Sequence, residues 1–331
     1  MKNAFCERVG VEVPVVLAPM GGAVGPALCA AVSNAGGLGM IPLWAEEPEA
    51  VRAGIRAVRA LTSRPFGVNL NLNWPQEERL AICLDAGVRI VSMFWGQSPA
   101  MIEKAHRGGA IVFQTVGSAA EARRAVDAGA DVIVAQGVEA GGHVWGRVAT
   151  LALVPAVVDA VGGVLVIAAG GIADGRGLAA VLALGAAAAW IGTRFLAAPE
   201  ATVHERYRDL LIAATEADTW YGDAVFDVGW PNAPHRVLRN KTVADWEAAG
   251  SPSSGSRPGE GDVIIRSPTA GDVLRYQIFT LSADATGDID ATSLWSGQGV
   301  AQVRRRQPAG EIVREIAGEA DAVLRKLAGR A

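Results

Sequence analysis

Apolar residues along this chain gather in short runs that recur at regular intervals. They are Val13–Leu17, Gly37–Ile41, Phe66–Leu72, Val88–Phe94, Ala110–Val116, Asp131–Ala135, Val164–Ala168 and Ala187–Ile191. The runs are nearly continuous rather than alternating, the pattern of strands buried on both faces. Between most of them lie Ala-rich stretches with helical spacing: Pro48–Leu61, Pro75–Asp85, Pro99–Arg107, Ala119–Ala128 and Leu151–Val161. Ser98-Pro99 and Ser118 with Glu121 mark helix starts, the latter as a capping box. Gly87, Gly129 and Gly185 suit helix ends before the next strand. Eight strands alternating with helices predict an α/β fold of the (β/α)8 TIM-barrel type. A doubly wound sheet would usually show Gly-x-Gly-x-x-Gly near its start, and no such sequence stands there.

After Arg194-Phe195 the pattern changes. Residues from about 201 to 290 are more polar and carry Trp220, Tyr221, Trp230 and Trp246. The Ser/Pro/Gly tract from Gly250 to Gly261 reads as a loop or flexible linker. Ala309 to Leu327 then shows a helical apolar stripe through Ile312, Ile316, Ala320, Val323, Leu324 and Leu327. The expected organisation is a barrel over residues 1–200, a smaller inserted substrate or lid domain over 201–290, and a segment over 291–331 that returns to the barrel. The insertion leaves the chain just after the eighth strand, so it is expected to cover the carboxyl-terminal mouth, with Trp220, Tyr221 and Trp230 as candidate walls.

Composition narrows the functional classes. Half of the 331 residues are apolar and 19% are charged, enough for a large core. A net charge of -4, with Arg304-Arg305-Arg306 as the sole basic cluster, gives nucleic acid no footing. Cys6, Cys29 and Cys83 stand far apart, which argues for a reducing compartment and against a zinc site or disulfide framework. No secretory signal opens the chain, and the uncharged stretch Gly177–Thr193 is too short to span a bilayer and is split by Gly185. A cytoplasmic protein without a membrane partner is the expectation.

Candidate chemistry sits on the loops that follow strands. Ala18-Pro-Met-Gly-Gly22 follows the first, Val68-Asn-Leu-Asn71 ends the third, Ala168-Ala-Gly-Gly-Ile172 follows the seventh and Gly192-Thr-Arg194 the eighth. The last two are where such barrels commonly hold a phosphate on backbone N–H groups. The sixth strand runs into Gln136-Gly-Val-Glu-Ala-Gly-Gly-His143, which delivers an imidazole at the chemically active end of the barrel. His106 and His204 read as surface residues, and His235 as a residue bordering the mouth. No His/Asp/Glu set has metal-ligand spacing, and no Gly-x-Ser-x-Gly elbow is present.

These loops, together with Gly36-Gly-Leu-Gly39, Gly192-Thr-Arg-Phe195 and Ser296-Gly-Gln-Gly299, give the chain a likeness to a known family. It resembles the nitronate monooxygenases, formerly called 2-nitropropane dioxygenases, from about residue 5 to 200 and again near 296–299. The region around Pro234-His-Arg-Val-Leu-Arg-Asn240 is a looser match. FMN-dependent enoyl-acyl-carrier-protein reductases share Glu-Ala-Gly-Gly-His, and some relatives are NADH:quinone reductases.

The resemblance implies FMN at the top of the barrel. Pro19, Met20 and Gly21 would line its ring, and Asn69 and Gln114 would reach its polar edge or ribityl chain. Gly141 and Gly142 would pass close to it, and Ala169, Gly170, Gly171, Gly192 and Thr193 would hold the phosphate. His143 would face the substrate, as base toward a nitroalkane or as partner to its anion. Some relatives carry lysine where this chain has Gln114, which leaves the electron acceptor open. The implied reaction takes an alkyl nitronate and O2 to a carbonyl compound and nitrite. The alternative is an NAD(P)H-fed FMN reductase acting on an enoyl thioester or a quinone. A non-enzymatic flavin-binding barrel is disfavoured by the histidine delivered beside the ring.

Overall fold

Each of the eight apolar runs forms a strand of one parallel sheet in the computed structural model, which describes residues 1–268 and 271–329. In chain order the strands are β1 (Val15–Leu17), β2 (Gly39–Pro42), β3 (Phe66–Asn71), β4 (Ile90–Phe94), β5 (Ile111–Val116), β6 (Val132–Gln136), a two-residue β7 (Gly142–His143), β8 (Leu165–Ala169) and β9 (Ala188–Ile191). All but β7 belong to the eight-stranded sheet, ordered β1-β9-β8-β6-β5-β4-β3-β2. An isolated parallel bridge from Val16 to Leu38 brings β1 against β2, so the sheet curls into a nearly closed TIM barrel.

The two-residue period of a strand sends alternate side chains inward and outward. Val16, Met40, Ile90, Phe113, Val134, Ile167 and Trp190 fill the barrel interior, while Val15, Val68, Val91, Val112 and Ile133 pack against the helices. The helix Ala4–Val9 adds Phe5, Cys6 and Val9 to the interior cluster. Its capping residue Asn3 also donates to the carbonyl of Ala187, just before β9, which ties that helix to the amino-terminal end. With that end filled, an internal cavity has room only at the carboxyl ends of the strands.

The helix Pro26–Asn34 follows β1 and has no counterpart among the periodic stretches seen in the sequence. Its residues Ala-Leu-Cys-Ala-Ala-Val are apolar all round, so it lacks the polar stripe that periodicity detects. After β9 only a short helical turn, Thr193–Leu196, follows. The place of a full helix there is taken by Ala309–Leu327, which packs on Gly175–Ala183 and Pro26–Asn34. Gly175 permits the contact, because a Cβ there would lie 2.4 Å from the backbone N of Ala320.

The intervening chain forms two small antiparallel sheets. One joins β10 (Thr219–Gly222) and β11 (His235–Leu238) to β7 in the order β10-β11-β7. The other joins β12 (Val263–Ser267), β13 (Gly271–Leu274) and β14 (Thr286–Gly287). The tract Gly250–Gly261, which reads as a linker, is instead pinned. Buried Arg257 forms ion pairs with Asp227 and Glu260 and lies 4.3 Å over the ring of Tyr276. All three cysteines are free and buried, and desolvation pushes the thiols of Cys29 and Cys83 up to about 12. Among the described residues no helix is long and apolar enough to cross a membrane.

Candidate active site at the carboxyl face of the barrel

A cavity of about 430 Å³ opens where the barrel strands end. Its barrel side gathers Pro19, Met20, Gly21, Asn69, Gly141, Gly142, His143, Ala169, Gly170, Gly171, Gly192 and Thr193 from five different strand ends. Gln114 is not among the lining residues. Phe113 points into the barrel, so the next residue along β5 turns outward. There its side-chain amide donates to the carbonyls of Met93, Gly96 and Thr115. Thr115, one residue on, lines the cavity instead. A continuous apolar run carries no alternation from which that parity could be read.

The glycines are required by close backbone approach. A Cβ on Gly141 would fall 2.3 Å from the backbone N of Gly297, and one on Gly170 would fall 2.8 Å from the carbonyl O of Gly137. The segment Ser296–Gly299 thus lies directly against the β6–β7 loop, and Thr193 Oγ1 accepts from the N–H of Gly297. Gly142 is the open position, at φ 69°, where a Cβ would meet no heavy atom within 4 Å. Glu139 has a scaffolding task, because its carboxylate accepts from the backbone N–H and the hydroxyl of Thr150 at the start of the helix Thr150–Ala160.

His143 is held from two sides. Gln136, on the last inward position of β6, donates to the His143 carbonyl at 3.2 Å and accepts from the Trp145 N–H at 2.8 Å. From the other side β11 pairs with β7 in antiparallel register, His235 opposite His143 and Arg236 opposite Gly142. The imidazole itself is fixed by rings. Trp230 stacks on it at 4.0 Å, with Trp295 at 5.2 Å, His235 at 5.7 Å and Trp95 at 5.9 Å between centroids. Trp95 takes a left-handed backbone (φ 64°), a strained conformation for so bulky a residue, of order 1–2 kcal/mol.

Burial among these rings, aided by His235, pushes the His143 pKa down to about 3, so the ring is neutral near pH 7. Its Nε2 is buried and has no hydrogen-bond partner. Among the described residues no carboxylate orients it, unlike the base of a catalytic triad. His235 is fully buried behind it rather than bordering the mouth. Its Nδ1 lies 2.9 Å from the Ala233 carbonyl, which places the proton there, and its Nε2 accepts from the Phe226 N–H at 3.4 Å. His106 and His204 lie at the surface, the first against Asp131 and the second capping the helix Glu205–Ala213.

The far wall is aromatic. Trp44, Phe94, Trp230, Phe279 and Trp295 line it, with Tyr207 donating its hydroxyl to the Trp295 carbonyl. Of the three expected wall residues, only Trp230 takes part. Trp220 packs on His235 and Trp246, and Tyr221 lies under the Arg236 guanidinium. Sequence reasoning missed Trp44, Thr115, Trp190, Phe279 and Trp295. Inward parity marks Thr115 and Trp190 once the register is known. Trp295 had a signal in its position immediately before Ser296-Gly-Gln-Gly299.

A barrel whose strand ends supply a glycine cradle and a neutral imidazole, roofed by aromatic side chains, defines a (β/α)8-barrel enzyme with a small-molecule site. Comparison with known proteins gives the family. The family profile described as nitronate monooxygenase matches residues 2–79 and 74–319, and the chain belongs to that family of oxidoreductases. It is 34% identical to a nitronate monooxygenase of Pseudomonas aeruginosa, over 96% of this chain and 99% of that protein. It is also 38% identical, over 75% of this chain and 69% of the relative, to the (3aS,4S,5R,7aS)-5-hydroxy-7a-methyl-1-oxo-octahydro-1H-indene-4-carboxyl-CoA dehydrogenase of Mycobacterium tuberculosis. Among solved structures it is similar to FabK from Thermotoga maritima, at TM-score 0.81 and 31% identity over all of both chains. A nitroalkane oxidase from Streptomyces ansochromogenes aligns at TM-score 0.79 and 29% identity, covering 98% of this chain and 100% of that one.

Proposed function

We propose that the protein oxidises alkyl nitronates to carbonyl compounds and nitrite with O2, using FMN held at the carboxyl face of the barrel. The observation that carries this reading is His143, a neutral imidazole with no hydrogen-bond partner at Nε2, set beside a glycine-lined cradle. The cradle fits a flavin. Gly142 leaves open space, Gly170 and Gly171 at φ 103° and 71° bring bare backbone to the rim, and Thr193 adds a hydroxyl. In this reading Pro19, Met20 and Gly21 flank the ring, Asn69 meets its polar edge, and Ala169–Gly171 with Gly192-Thr193 hold the phosphate. Bound there, the flavin supplies an electron sink that amino-acid side chains lack.

The rest falls to the chain itself. A nitronate is already an anion, and a neutral nitroalkane must first lose its α-proton. His143 accepts that proton, and the nitronate formed beside it stabilises the imidazolium that burial alone disfavours. Trp95, Trp230 and Trp295 keep the imidazole in place, and residues 201–290 act as a lid that limits water. The resemblance to FabK and to a CoA dehydrogenase keeps an NAD(P)H-dependent reductase as the alternative. Anaerobic mixing of the yellow holoprotein with a nitronate, NADH and NADPH in turn decides. Bleaching by the nitronate supports the oxidase, and bleaching by a nicotinamide cofactor alone overturns it.

A further inference from the structure

Five of the nine tryptophans form one unbroken line of ring contacts. Trp44 stacks on Trp74 at 5.0 Å between centroids, and Trp74 meets Trp230 at 4.8 Å. Trp230 in turn meets Trp95 at 4.7 Å, and Trp95 meets Trp145 at 5.0 Å. Trp44 and Trp230 line the cavity, whereas Trp95 and Trp145 are not among its described lining residues. The line therefore leads away from the cavity to Trp145, which is partly exposed. We propose that Trp230, Trp95 and Trp145 form an electron relay. It refills an electron vacancy created in the cavity, on a flavin or an organic radical, and leaves that vacancy on Trp145. The relay rests on flavin being bound in the cavity and not on which substrate is oxidised there.

Indole is among the most readily oxidised side chains, and electrons pass quickly between rings in van der Waals contact. The line also has a direction. Among its described members, Trp145 alone donates its indole N–H to a carboxylate, from Nε1 to Glu121 Oε2 at 2.9 Å. A negative charge so close stabilises the positive charge of an oxidised ring, which makes Trp145 the easiest member to oxidise. Both partners are held in place. The same Glu121 oxygen accepts from the Gly117 N–H at 2.7 Å, and the Trp145 backbone N–H donates to Gln136 Oε1 at 2.8 Å. The central link, Trp95, keeps a left-handed backbone (φ 64°) that bulky residues rarely adopt. In the transfer, one electron leaves the Trp145 ring and reaches the oxidant through Trp95 and Trp230. The oxidant is reduced by that electron. The Trp145 Nε1–H bond breaks and its proton passes to the Glu121 carboxylate, leaving a neutral indole radical. Where the oxidant is the carbon radical left by a nitronate that has lost one electron, the transfer returns it to the nitronate. Trp230, stacked on His143 at 4.0 Å, is thereby spared oxidation.

The FMN-loaded protein is excited by a light flash without O2, so that the flavin itself is the one-electron oxidant. Transient absorption then follows the oxidised ring and separates the protonated from the deprotonated indole radical. We expect the deprotonated radical in the unaltered protein. Trp95→Phe should abolish it, although Trp145 and Glu121 are both present. Trp145→Phe should leave only the protonated form, on Trp230 and Trp95, and return the vacancy to the flavin at least about 10-fold faster. Glu121→Gln still offers an oxygen to both N–H groups but removes the charge and the proton acceptor, so the radical should stay protonated and decay faster. Circular dichroism and flavin content check that each variant is folded and loaded. A deprotonated radical of unchanged yield and lifetime in any of the three variants overturns the proposal, as does the absence of an indole radical in the unaltered protein. If the purified protein takes up no FMN, the cofactor reading has failed. A ruthenium photosensitiser attached at Ile278→Cys on the cavity wall, with the three native cysteines buried, then drives the same test on the same variants.

Discussion

The barrel brings the glycines of the cradle to the cavity, with Trp44, Phe94 and Trp190 beside them, whereas the chain after residue 200 brings chiefly Trp230, Phe279 and Trp295. The cradle on the barrel side is built by strand-end glycines, so its shape depends on backbone positions fixed by the parallel sheet. The other side is built by large rings that depend on one another for support. A surface of the first kind suits a large cofactor held through its phosphate and ring edges. A surface of the second kind suits discrimination among small substrates. His143 lies on the seam between them, tied to the barrel by Gln136 and to the later chain by β11.

The sharpest way to break that division is on the barrel side. Gly171→Val with Gly192→Val fills the cradle, and we expect complete loss of yellow colour and of nitronate oxidation. Absorbance of the purified protein and a circular dichroism spectrum check that cofactor rather than fold was lost. At the seam, His143→Asn should lower activity on neutral nitroalkanes by roughly 10²–10⁴-fold, the usual worth of a general base. Activity on the preformed nitronate should fall far less, and flavin should stay bound. Equal losses on both substrates with flavin retained would assign His143 to holding the anion instead.

On the later side, His235→Leu leaves the buried N–H of Phe226 without its acceptor, at a cost of about 1–3 kcal/mol. Urea unfolding measures that loss, and the flavin content should remain near one per chain. The pH dependence is a smaller effect. The folded-state pKa of His143 lies near 3, below its unfolded value near 6.5, so the unfolded chain binds the extra proton between those values. Its contribution to stability is complete above about pH 6.5 and is lost as pH falls toward 3. His143→Asn should therefore flatten the decline in urea midpoint between pH 7 and 5, and an unchanged decline would sink the assignment. The smallest effect is expected from Arg306→Gln at the surface, where the exposed pairs with Glu205 and Asp209 contribute no more than about 1 kcal/mol.

The alternation of strands and helices was legible because each barrel strand is buried on both faces and reads as a run. The glycine loops were legible because few other residues tolerate such close backbone contact, as the 2.3 Å approach at Gly141 shows. With them came most of the barrel side of the cavity and the position of His143. The helix Pro26–Asn34 was hidden by the same uniform burial that revealed the strands. Thr115 lines the cavity and Gln114 does not, a distinction hidden because an unbroken apolar strand does not say which of two neighbours faces inward. That choice belongs to the register of β5 between β4 and β6.

The aromatic wall lay further from reach. Trp95, Trp230 and Trp295 are distant in sequence, and only chain packing brings them beside one imidazole. The same is true of His235, which is brought opposite His143 by a two-residue strand too short to announce itself. Local composition and spacing set the barrel and its glycine cradle, because those depend on backbone room at single positions. Long-range pairing set the neutral, ring-caged state of His143, because burial of an imidazole is a property of everything packed around it.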